Sequence, residues 1–183
     1  MPAESASVMT AEELVRLHLP GKSTELVRGR LIVREPPGTY HGRIAAKLAV
    51  IVGSYIYAHD LGDIFGQHTG FKIESNPDTV RAPDLAFLKH ERISAVRLRG
   101  YAEIAPDLIV EIISPDDRPG EVLAKVVDWL DSGVKLVWVI DPQHAEAHVH
   151  RPDGSLEIVG ADDRLDGEDV LPGLTFTLSS VFD

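Results

Sequence analysis

Apolar positions along this chain fall into two rhythms. Across residues 39–59, Ile44, Leu48, Ile51, Val52 and Tyr55 recur at helical spacing and predict the longest helix. Across residues 119–131, Val122, Leu123, Val126, Val127 and Leu130 predict a second helix with one apolar stripe, and Gly133 fits its stop. Thr10-Ala11-Glu12-Glu13 is a capping-box pattern for a short helix reaching about Leu17. Elsewhere the period shortens. Strands are predicted at residues 63–66, 70–74, 82–88, 107–113 and 134–140. Residues 25–28 and 31–34 flank Gly29-Arg30 as one hairpin. Residues 145–151 and 156–159 flank Pro152-Asp153-Gly154-Ser155 as another. Residues 89–105 show no clear period, and the chain beyond Pro172 reads as a short strand or extended tail. The order predicts an α/β domain, a mixed central sheet flanked by helices with an N-terminal and a C-terminal hairpin. Residues 1–9 read as a flexible tail and 10–183 as a single domain, without repeat or linker.

One strand breaks its own pattern. Pro106-Asp107-Leu108-Ile109-Val110-Glu111-Ile112-Ile113-Ser114 reads as a fully buried central strand that carries a carboxylate. Burying Glu111 is costly unless a cation, a metal or hydrogen bonds compensate it. Strand parity puts Asp107, Ile109 and Glu111 on one face, and two acids on one face suggest a site.

Composition narrows the chemistry. The 183 residues contain no cysteine, which excludes disulfides, a thiolate zinc site and a cysteine nucleophile, and fits a cytoplasmic location. No apolar run approaches the roughly 20 residues of a membrane helix, so no membrane partner is expected. The net charge of −11 argues against non-specific coating of nucleic acid. Charge is uneven, however: residues 1–100 hold 13 Lys/Arg against 11 Asp/Glu, and residues 101–183 hold 5 against 18. A polyanion would approach through the N-terminal half. Two basic regions, residues 16–50 and 81–99, offer Arg43, Lys47, Arg81, Lys89 and Arg92 as nucleic-acid contacts, with spread-out surface charge as the alternative.

Asp84 follows Pro83 at a strand start, Glu111 lies in the next regular strand, and Lys125 lies on the helix that follows. If the strands are neighbours, the two carboxylates converge on one divalent ion, with the Ile112 carbonyl as a further ligand. Mg²⁺ accepts few carboxylates together with waters and phosphate oxygens. A nearby lysine orients a water or neutralises charge on phosphate. Each residue also has a plainer role: Asp84 at a turn, Glu111 in a structural ion pair, Lys125 in a solvated pair with Glu121. The predicted stripe favours that last role, because it leaves Lys125 roughly 130° from the stripe centre. His148-x-His150 lacks an evident third ligand. The acids between Asp162 and Asp169 lack a calcium-loop pattern. Ser114 lacks the glycine-flanked elbow of a hydrolase nucleophile.

These motifs resemble the Uma-two family of restriction endonucleases within the PD-(D/E)XK nuclease superfamily. The resemblance runs from Met9-Thr10-Ala11-Glu12-Glu13 and Glu25-Leu26-Val27-Arg28-Gly29-Arg30-Leu31 to Leu171-Pro172-Gly173-Leu174. Its most specific part is Glu111-Ile112-Ile113-Ser114-Pro115 with Lys125 on the next helix. It implies a restriction-endonuclease-like fold, a four-stranded mixed sheet flanked by helices, and Mg²⁺-dependent cleavage of DNA, with Mn²⁺ as a substitute. It makes Asp84 and Glu111 metal ligands and Lys125 the catalytic lysine. It also gives His41, at the head of the long helix, a contact to metal, water or phosphate, where the wider superfamily often carries an acid. The chain departs from the superfamily motif in holding Ile113, not lysine, two residues after the acid. A binding module that no longer cleaves is the rival reading, and a structural domain with a paired Glu111 and no cleft is a third. Cutting both strands of a duplex suits a two-fold homodimer.

Overall fold

A computed structural model describes residues 8–97 and 99–183, so residues 1–7 of the predicted tail lie outside the described residues. In chain order the elements are α1 (Ala11–Arg16), β1 (Ser23–Val27), β2 (Arg30–Arg34), α2 (Thr39–Ala58), β3 (Gly62–Gly66), β4 (Phe71–Glu74), β5 (Thr79–Arg81) and β6 (Leu85–Lys89). A 3₁₀ turn (His90–Ala95) precedes β7 (Leu108–Ile112), α3 (Pro119–Asp131), β8 (Leu136–Asp141), β9 (Glu146–His150), β10 (Leu156–Gly160), β11 (Arg164–Asp166), β12 (Thr175–Thr177) and a closing 3₁₀ turn (Leu178–Val181).

The central sheet is mixed and has six strands in the order β10-β9-β8-β7-β6-β3, not the four that the family resemblance implied. Only β7 and β8 run parallel, joined through α3, as a parallel pair requires a crossover. Alternate residues of β7 and β8 face opposite layers. Leu108, Val110, Ile112, Leu136, Trp138 and Ile140 pack with Ile44, Leu48, Val52 and Ile56 of α2. Ile109, Val137 and Val139 pack with Val126 and Trp129 of α3. Glu111 shares the parity of Ile109 and therefore points to the α3 layer.

A second sheet, β2-β1-β5-β4, is wholly antiparallel. Leu26 and Val80 bury its inner face against Ala11 and Leu14 of α1, whose capping box forms as predicted: Glu13 N–H donates to Thr10 Oγ1 at 3.2 Å. Met9, read as tail, donates its N–H to the Gly29 carbonyl at 2.9 Å. The strand predicted at 82–88 begins only at Leu85. Pro83, which has no N–H for a ladder, separates β6 from β5, and β5 belongs to the other sheet.

The stripe predicted for α3 is rotated from the real one. Val126 and Trp129 are buried, whereas Leu123 is 56% and Val127 45% exposed. Trp129, absent from the predicted stripe, lies beneath the helix and turns Lys125 inward with it.

Candidate active site

A cleft of about 900 Å³ opens at the end of the central sheet where β6 begins and β7 ends. Asp84, Glu111, Ile112, Lys125, His41 and Glu25 all line it. Antiparallel pairing of β6 with β7 sets Leu85 opposite Val110, which brings Asp84 beside the last residues of β7. Asp84 Oδ2 accepts the Ile112 N–H at 2.7 Å. The two acids predicted from sequence thus line one cleft, although neither is near the other along the chain.

Glu111 is 6% exposed. Its Oε2 accepts from Lys125 Nζ at 3.0 Å and its Oε1 from the Trp129 indole N–H at 2.9 Å. Burial pushes its carboxyl above the usual range, and the Asp84 and Glu25 charges add to that, while Lys125 opposes them. For Lys125, burial alone would favour the neutral amine, but the Glu111 and Glu25 carboxylates overcome it and hold the ammonium well above the ordinary lysine range. The predicted pair of Lys125 with Glu121 does not form; Glu121 lies 3.4 Å from Arg34. Glu111 therefore does have a buried cationic partner, as a structural role demands, yet a cleft also reaches it, which that role does not require.

His41, 9% exposed, sits in the first turn of α2. Its Nε2 is 3.1 Å from the Ile112 carbonyl and 3.2 Å from Asp84 Oδ2. Gln67 Nε2 lies 3.1 Å from both His41 Nδ1 and Asp84 Oδ1. An amide nitrogen only donates, so in the neutral imidazole Nδ1 accepts and the proton sits on Nε2, aimed at the carbonyl and carboxylate. Burial would lower the imidazole pKa, but the Asp84 hydrogen bond and charge, with the Ile112 carbonyl, raise it above its usual value.

Other predicted residues lie elsewhere. Asp107 is held at the opposite end of β7: it accepts from Arg92 at 2.7 Å and from the Lys89 N–H at 2.9 Å. Lys89 is therefore roughly 17 Å along β6 from Asp84, Arg92 lies on the 3₁₀ turn beyond it, and neither lines the cleft. Arg92 also donates to the Ala105 carbonyl at 2.8 Å. Arg81, offered as a nucleic-acid contact, is 5% exposed and is held between Glu25 and Asp128, so it has no surface to present. Arg43 and Lys47 remain on the outer side of α2, bonded to carbonyl oxygens of the last two residues. Glu25, Gln67 and Trp129 were not singled out from the sequence. The only local signal was Glu25 alternating with Leu26 within a strand, which marks an inward or outward position without distinguishing them.

A different group at the cleft rim could also hold a metal. One ligand atom each from Asp141, His144 and Glu146 lie within 4.8 Å of one another, and Asp141 lines the cleft. Asp141 also accepts the N–H groups of Gln143 and His144 at 2.9 and 3.2 Å, which is an ordinary turn arrangement.

The fold is that of a nuclease-like class of protein. A solved structure described as a "putative nuclease belonging to DUF820" from Anabaena variabilis matches with a TM-score of 0.82, 22% identity, and coverage of 95% of this chain and 97% of that one. At that identity the likeness speaks for the fold. The Uma2 family model, described as "Putative restriction endonuclease", matches residues 11–179, and the chain belongs to that family. No curated protein matches the chain. No helix among the described residues is long and apolar enough to cross a membrane.

Proposed function

We propose that this protein is a divalent-cation-dependent endonuclease that hydrolyses DNA phosphodiester bonds at the Asp84–Glu111–Lys125 cleft. The observation that carries the reading is that Asp84, Glu111 and Ile112 line one cleft, with Asp84 bonded to the Ile112 N–H and Lys125 alongside Glu111. These are hard oxygen donors, the kind Mg²⁺ or Mn²⁺ takes. Glu25 and Glu111 flank the Lys125 ammonium at 3.5 and 3.0 Å and Asp84 lines the same cleft, so three central carboxylates face one ammonium, a negative charge that a cation would offset. Asp84, Glu111 and Ile112 would hold the ion. When bound, such an ion lowers the pKa of a water and offsets charge developing on phosphate.

The protein groups supply placement. Asp84 fixes the Ile112 N–H, and the His41 Nε2–H fixes the Ile112 carbonyl. Gln67 holds His41 in the donating tautomer, which makes it a poor direct metal ligand and a good support. Lys125 supplies a fixed positive charge to orient a water or meet a non-bridging phosphate oxygen. A homodimer fits double-strand cutting by symmetry, and a cytoplasmic setting fits the absence of cysteine.

Of the rival reading, a non-cleaving nucleic-acid- or protein-binding module, one observation favours the protein-binding form, since an acidic cleft repels a polyanion. The cleft lining includes Glu35, Asp116, Asp117 and Glu121 as well as the three central acids, with Arg34 and Lys125 as its lysine and arginine content. Calorimetric titration of Mn²⁺ into wild type and Glu111→Ala, without and with a short duplex, separates the two. Binding that vanishes in the variant, followed by nicking of plasmid DNA, supports the nuclease. No binding to wild type even with duplex present leaves the binding module.

A further inference from the structure

Glu25 reaches the cleft from β1, in a sheet that contributes neither Asp84 nor Glu111. It is 3% exposed. Its Oε1 accepts the Ala82 N–H at 3.0 Å and lies 3.5 Å from Lys125 Nζ. Its Oε2 accepts from the Arg81 guanidinium at 2.9 Å. Arg81 does not depend on Glu25 alone, because Asp128 Oδ2 takes two further nitrogens of the same guanidinium, at 3.0 and 2.5 Å. Lys125 stands between Glu111 and Glu25.

A lysine carried on a helix has a four-carbon stem and considerable rotamer freedom, and no strand backbone aims it at the acids. We infer that Glu25 is a positioning residue for Lys125, retaining the ammonium in the cleft when the Glu111 carboxylate is engaged by a cation. The same side chain fixes the Ala82 peptide two residues ahead of Asp84, so one carboxylate from the second sheet registers both halves of the site. The functional meaning of this role rests on the nuclease reading; the geometry does not. Glu25 is suited to it because it stays charged: burial works against its ionisation, but Lys125, Arg81 and the Ala82 N–H hold its pKa below the usual glutamate value.

The test measures acylation of Lys125 by an amine-reactive ester, read by peptide mass spectrometry, with neither cation nor nucleic acid. Four full-length proteins are compared: wild type, Glu25→Gln, Glu111→Gln and the double variant. If each carboxylate can hold the ammonium alone, each single variant stays within about threefold of wild type, and the double reacts about tenfold faster or more, the coupling expected of residues sharing one partner. Glu111→Gln alone reacting as fast as the double would overturn the inference. If Glu25→Gln fails to fold, Glu25→Asp keeps the charge beside Arg81 and withdraws the carboxylate by one methylene. Glu25→Asp/Glu111→Gln should then react faster than Glu111→Gln, and equality would overturn the inference. Mn²⁺ calorimetry on wild type decides the nuclease reading separately, since the acylation comparison needs no cation.

Discussion

Lys125 Nζ and Glu111 Oε2 lie 3.0 Å apart, although 14 residues and a change from strand to helix separate them. Glu111 projects from β7 toward α3, and the buried Trp129 turns the same face of α3 back onto it. The pair is internal to the fold and also opens to the cleft, so its two roles can be measured apart.

Lys125→Met removes the ammonium that Glu111 and Glu25 share. Breaking one side of a buried ion pair costs about 3–5 kcal/mol, so urea unfolding should show a loss of that order. Adding Glu111→Gln should recover part of it, because the residues share one network. A single variant as stable as wild type would mean that the pair contributes nothing net.

Trp129→Phe keeps one aromatic ring, leaves part of the buried indole's volume empty and deletes one N–H donor to the Glu111 carboxylate. Hydrogen bonds to charged groups contribute about 1.5–3 kcal/mol. The variant should lose at least that much stability at pH 7, the vacated indole volume adding to it, measured by denaturant unfolding. That hydrogen bond also opposes the upward shift of Glu111. The Glu111 carboxyl, followed by carbon-detected NMR titration, should therefore titrate higher in the variant; an unmoved titration would contradict the contact.

The rotated face of α3 gives a direct comparison. Leu123→Gln, at an exposed position, should shift stability by no more than about 0.5 kcal/mol. Val126→Ala, which deletes two buried methyl groups, should cost about 2 kcal/mol. The reverse order would restore the stripe read from the sequence.

Asp78 ties α1 to the second sheet. It accepts the Ala11 N–H at 2.8 Å and pairs with Lys72 at 3.2 Å. Burial alone would raise its carboxyl, but the Ala11 N–H and Lys72 hold it below its ordinary value of 3.8. With the folded pKa depressed, its contribution is complete above the unfolded value and is lost as pH falls through the folded one. The Tm gap between wild type and Asp78→Asn should be widest near pH 7 and shrink below pH of about 4. A gap that is constant with pH would rule out a charge-based tie.

Helical period located α2 and α3, since each buries one long face. The isolated acid in an aliphatic run identified Glu111, because few side chains are so costly to bury without a partner. Pro83-Asp84 and Lys125 were legible as motif positions. The face on which Lys125 lies was not, because Trp129 was left out of the predicted stripe and two exposed apolar residues, Leu123 and Val127, were counted into it. Asp107 and Arg81 show the same limit. Parity put Asp107 on the face of Glu111, but only the tertiary structure gave it Arg92 as a partner away from the cleft. Arg81 read as a surface cation until Glu25 and Asp128 closed over it. The sequence by itself determined which segments could be helix or strand and which carboxylate was out of place, since both follow from local period and burial cost. Only the tertiary structure decided that β6 lies against β7, that a separate sheet delivers Glu25, and which charges find partners. Those depend on contacts between residues far apart in the chain, where the energy of a charge is set by neighbours that no local pattern specifies.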